Sequence, residues 1–150
     1  MQTFEPWHPV CDVPEFLVGI FVVQPHSNCV KIVCDGQFAN GQLLVLRFDQ
    51  FEAVFAHEEF AHQWPGETGR PVLPMSPGEH WTFPFLIVAN SYWAASSNQA
   101  RDFGRTPTHY CILSGNDIVD ILSFLPPQAL WASVEETESL LQAVEQLGGP

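Results

Sequence analysis

The run His57-Glu58-Glu59-Phe60-Ala61-His62 puts two imidazoles and two carboxylates within six residues. Its composition suggests a metalloprotease signature. That chemistry needs two histidines four apart on one helix face, with glutamate directly after the first. Here the histidines are five apart. On a helix they diverge by about 140°, and on a strand they oppose each other. The run therefore reads as a polar strand end or turn. His109 and Cys111 share one face of a strand, which invites a thiolate–imidazole pair. A reactive thiolate needs an electropositive setting. This chain has 17 acidic residues and 5 basic ones, so Cys111 reads as packed. Asp117 with Asp120, and Glu58 with Glu59, are available as acid–base pairs. That role requires a cleft that drives two carboxyl pKa values apart. Without such a cleft they read as solvated surface acids.

No G-x-S-x-G elbow, P-loop or G-x-G-x-x-G occurs, so neither a serine hydrolase nor a nucleotide site of those kinds is supported. Cys29 and Cys34 have four residues between them in a strand-like run, and point to opposite faces. With Cys11 and Cys111 they read as reduced thiols behaving as small hydrophobes. No metal and no cofactor is expected.

The elements that must position these side chains have a dominant period of two, the mark of strands. Phe16–Val23 is apolar on both faces and is expected to be a central strand. Cys29–Asp35 alternates, Leu43–Phe48 follows an Asn40-Gly41 hairpin signal, and Phe51–Ala56 reads as a fourth strand. His80–Ala89 is strand-like and rich in aromatics. Asn90 or Ser91 is placed to cap a short helix through Tyr92, Trp93 and Ala95. Ser96–Thr106 reads as a polar, exposed connection. Thr108–Leu113 and Ile118–Ser123 read as a hairpin. Residues 63–79 form a long loop holding Pro65, Pro71, Pro74 and Pro77 with three glycines. Ser133 and Glu136 form a capping box that opens a helix over 133–147. Its apolar stripe is Val134, Leu140, Leu141, Val144 and Leu147. The expected fold is α+β. It is a single domain over residues 1–150, with a mostly antiparallel sheet of six or seven strands, the amphipathic C-terminal helix and one short helix.

Composition bounds the function classes. The chain has 150 residues, and at 46% apolar and 15% charged it is built to bury a core. A formal charge of −12 excludes the basic face that nucleic acid requires. No Lys or Arg precedes Lys31, and no apolar run approaches the ~20 residues of a membrane span, so a cytoplasmic protein is expected. Residues 106–150 hold six acids and no Lys or Arg. Carboxylates near a helix start complement its dipole, but Glu145 near the end does not. Acid of one sign steers a basic partner.

Three segments, GQLLVLRFDQFEAVFAHEE, FPFLIVANSYW and HYCILSGNDIVDILS, in this order and with an acidic C-terminal helix, resemble small bacterial proteins similar to the immunity proteins of toxin systems. The resemblance implies a non-catalytic protein that binds a basic toxin domain. The expected contact residues, read from charge and loop position, are Trp64, Glu67, Glu135, Glu138, Gln142 and Glu145. Two alternatives stand beside it. One is a small enzyme or ligand-binding domain that gathers His57, His62, His80 or His109 with carboxylates in a pocket. The other is a homodimer or subunit joined through apolar sheet surface.

Overall fold

The computed structural model describes residues 2–58, 83–115 and 117–139. Among these residues nine strands form two antiparallel sheets, more strands than the sequence suggested. The first sheet holds five: β1 (Thr3–Pro6), β6 (Phe85–Ala89), β7 (Thr108–Leu113), β8 (Asp117–Ser123) and β5 (Phe51–Glu58), in that spatial order. The second holds β2 (Gly19–His26), β3 (Cys29–Asp35), β4 (Leu43–Asp49) and β9 (Gln128–Ala132). Helices α1 (Tyr92–Ala95) and α2 (Asn98–Phe103) join β6 to β7. Residues 134–139 are helical. The long loop over 63–79 lies outside the described residues, as do His62 and His80.

The sheets pack face to face. Leu17, Val30, Ile32, Leu44, Leu46 and Phe48 from the four-stranded side meet Phe85, Tyr110, Ile112, Val119 and Ile121 from the other. Phe48 and Tyr110 make an edge contact across the layers, with ring centroids 5.2 Å apart. Trp7 closes one end, its ring 5.9 Å from Phe85 and 4.9 Å from Tyr110. The five-stranded sheet also buries its other face, through Leu86, Val88, Cys111, Leu113 and Ile118. This explains why β7 and β8 are buried at nearly every residue: a strand covered on both sides cannot alternate between buried and exposed.

The apolar run Phe16–Val23 was expected at the centre of a sheet. It contributes to β2, which is an edge strand. Pro25 lies within β2 and has no N–H to give a second neighbour, which confines such a strand to an edge. The hairpin signal Asn40-Gly41 also resolves differently. Only Gly41 has positive φ (70°), so the turn is not the two-residue type I′ form, and Asn40 Oδ1 instead accepts from Gln42 N. Strand β9 follows Pro126-Pro127 and is mostly exposed, so it lacked the apolar alternation that marks a strand. Helix α2 falls in the stretch read as an exposed connection; Ser97 caps its start and Gly104, at φ 64°, ends it.

Gly36 ends β3 where the incoming segment crosses it. A Cβ there would stand 2.8 Å from Leu17 Cδ2, 3.0 Å from Pro14 Cγ and 3.1 Å from Phe38 Cε2. Gly36→Ala should therefore lower stability by about 1–3 kcal/mol through overpacking. Gly115→Ala meets nothing within 4 Å and should stay within about 0.5 kcal/mol. Equal urea midpoints for the two variants would contradict the crowding.

Candidate functional site

The chemistry-bearing residues meet on the outer face of the five-stranded sheet. Strand β8 runs between β7 and β5, and Asp120 has Cys111 as its partner on one side and Phe55 on the other. Two residues along each neighbour lie His109 and His57. Side chains alternate along a strand, so these residues share the face of Asp120. Diagonal neighbours across a sheet are within reach of long side chains. His57 Nε2 is 3.0 Å from Asp120 Oδ2, and His109 Nε2 is 2.7 Å from Asp120 Oδ1. The carboxylate therefore receives one ring N–H on each oxygen. On the far side of His109, Nδ1 is 2.7 Å from Ser91 Oγ.

Ser91 is also the N-cap of α1, its Oγ accepting from Ala94 N at 3.1 Å. A carboxylate only accepts, so His109 Nε2 carries the proton it donates. With His109 neutral, Nδ1 accepts from the Ser91 hydroxyl, whose lone pair takes the Ala94 N–H. The Trp93 and His109 rings pack nearly perpendicular to each other, centroids 5.2 Å apart. The series Ser91–His109–Asp120–His57 thus links the first turn of a short helix to three adjacent strands.

The setting is dry. Asp120 is fully buried, and the His57 and His109 side chains are 5% and 0% exposed. Burying a carboxylate is tolerable only when donors surround it. Among the described residues, the one buried side-chain polar atom without a hydrogen-bond partner is Glu52 Oε2, which is not in this group. One expectation is corrected here. Asp120 is an interior group, not a solvated surface acid, whereas Asp117 is exposed. His57 does stand at the end of β5, one residue before its last, with its side chain turned onto the sheet's buried face.

Burial, the Asp120 charge and a hydrogen bond to it push the Cys111 thiol well up from its ordinary value; burial alone does the same to Cys34. Both stay protonated when folded, while unfolded thiols ionise near about pH 8.5. Stability from these two groups is therefore complete below that pH and falls as pH rises above it. The slope should be about 1.4 kcal/mol per pH unit for each thiol. A urea midpoint that falls between pH 8 and 10, and falls less steeply in Cys34→Ala, is the expected result. Cys11 is exposed and the other three cysteines are buried, so a thiol reagent should modify one site in the native protein and four after denaturation.

A groove of about 580 Å³ reaches this group from outside, with Ser91 and His109 in its lining beside Asn90, Tyr92, Thr106 and Thr108. A hydroxyl bonded to an imidazole, itself held by a carboxylate, is the arrangement that activates serine in hydrolytic triads. Two features differ from that template. The imidazole nitrogens exchange roles, Nδ1 facing the serine. The serine oxygen is also engaged as a helix cap and the residue is 6% exposed. Among the described residues, no group of three or more His, Cys, Asp or Glu has the geometry to hold a metal.

Of the residues chosen from the sequence as contacts, Glu135 and Glu138 are exposed on the helical stretch 134–139. Trp64, Glu67, Gln142 and Glu145 lie outside the described residues. The capping box is formed: Ser133 N donates to Glu136 Oε2 at 3.2 Å, and Glu136 N to Ser133 Oγ at 3.2 Å. Val134, assigned to the apolar stripe, is instead 50% exposed, and Thr137 is buried. No helix among the described residues is long and apolar enough to cross a membrane. Ser91 was seen from sequence only as a cap, and the spacing of 18 residues to His109 offered no signal that the two would meet. Set against protein-family models, curated proteins and solved structures, the chain finds no match.

Proposed function

We propose that this chain is a non-catalytic, acidic protein-binding module that neutralises a basic toxin domain, in the manner of an immunity protein. The observation that carries this is the one-signed surface near the C-terminus. Glu135, Glu136 and Glu138 are exposed together on 134–139, and residues 106–150 contain no Lys or Arg. Elsewhere Glu5, Asp12, Glu15, Asp102 and Asp117 are exposed. Of the described cations, Arg47 is held by Asp49 at 3.1 Å, and Arg105 lies over the Phe124 ring. Such a surface accelerates encounter with a positive partner, by ten- to a thousand-fold as an order of magnitude. The buried Asp120 group fits this reading as a structural tie, since its polar atoms are bonded to one another in the interior. Capture from the native host, followed by stopped-flow association, tests it. The association rate should fall at least about tenfold between low and high salt. A rate indifferent to salt would remove the electrostatic basis.

A second reading, a small hydrolytic or ligand-binding domain, is favoured by one observation: Ser91 and His109 line a groove. Treating the wild-type protein with a fluorophosphonate and mapping the modified peptide separates the two. A label on Ser91 establishes an activated hydroxyl. A native protein with no label leaves Ser91 as a cap.

A further inference from the structure

We infer that the cleft between Trp131, Phe38 and Asp12 seats an arginine side chain of the partner protein. The inference rests on the acidic-binder reading and names one of its contacts. The cleft has a volume of about 400 Å³, and its lining includes Val10, Asp12, Phe38, Asn40 and Trp131. Trp131 sits on the edge strand β9 and is 42% exposed. Phe38 meets its ring nearly edge-on, with centroids 5.1 Å apart and planes at 74°, which fixes the indole orientation. Asp12 is exposed and has no hydrogen bond or ion pair to any other described residue. Among the described residues, no Lys or Arg lines the cleft. The Glu136 carboxylate is folded back onto the N–H of Ser133, two residues beyond Trp131, which keeps negative charge near the end of β9.

An aromatic face beside a carboxylate selects a side chain with an apolar stem and a cationic head. The stem covers apolar surface while the head stays polar. The ring face attracts a cation within about 6 Å of its centroid. Arginine suits the pair better than lysine, because its planar guanidinium stacks on an indole and offers a fork to a carboxylate. The chain makes the same kind of contact internally: the Arg105 guanidinium carbon lies 4.2 Å from the centre of the Phe124 ring. A partly exposed tryptophan, held from behind and flanked by charge, also has the anatomy of an interface hot spot.

The test titrates the ¹⁵N-labelled full chain with hexa-arginine and hexa-lysine peptides at low salt. Wild type is compared with Trp131→Ala, Asp12→Asn and the double variant Glu135→Gln/Glu138→Gln. Hexa-arginine should shift the Trp131 indole N–H resonance and bind more tightly than hexa-lysine. Trp131→Ala and Asp12→Asn should each weaken hexa-arginine by about three- to thirtyfold, and should narrow its advantage over hexa-lysine. The Glu135→Gln/Glu138→Gln variant should weaken both peptides alike. The same spectra report whether each variant is folded. If both peptides bind wild type and the two cleft variants equally well, the cleft assignment is overturned and the acidic-binder reading stands. If neither peptide binds wild type, that reading fails and takes the cleft with it.

Discussion

Replacing Asp120 with alanine should destabilise the protein by about 3–5 kcal/mol, the usual loss when one partner of a buried charged group is removed. Two ring N–H groups, from His57 and His109, lose their acceptor at once in a region where neither side chain is more than 5% exposed. For a chain of this size the melting temperature should fall by roughly 10 °C or more. Asp120→Asn should cost less. Its amide oxygen still accepts from one ring, but its NH₂ group confronts the other. A cycle combining Asp120→Ala with His57→Ala isolates the coupling, because residues in one network do not add. A loss below about 1 kcal/mol for Asp120→Ala would show that the group does not hold β5, β7 and β8 together.

Phe48→Ala should be comparably damaging, at about 3–5 kcal/mol, through lost transfer energy and the cavity left behind. Phe48 is fully buried on β4, yet its ring contact is with Tyr110 on β7, in the other sheet. The variant therefore reads the seam between the layers and not one sheet alone. Chemical denaturation followed by tryptophan fluorescence and by circular dichroism should give coincident transitions. If the two probes separated, the sheets would be unfolding independently.

The hairpin of β7 and β8, the Ser91 cap and the capping box at Ser133 were legible because each depends on residues close in sequence. Period-two alternation located β3 and β4 for the same reason. The features that went unread depend on distance. Asp120 looked like surface acid because its neighbours in sequence, Val119 and Ile121, face the inter-sheet core while it faces the other way. Only the pairing of β8 with both β5 and β7 shows that this second face is also buried. The site is a product of strand order, and strand order is set by long-range packing that no local pattern encodes. Pro25 is a local signal of another kind: its missing donor marks β2 as an edge. His57 was judged by its glutamate neighbours, but its burial is decided by a strand 63 residues away.

Edge strand β2 carries a further consequence for handling the protein. Phe21 and Val22 are solvent-facing on it, and Phe16 and Val18 precede it, at 48%, 36%, 61% and 53% exposure. Such a greasy, open rim is a template for adding foreign strands, and the net charge of −12 opposes the approach of a second copy. Acidifying a stock toward about pH 4, where carboxylates take up protons, should therefore cloud it well before the fold itself is lost.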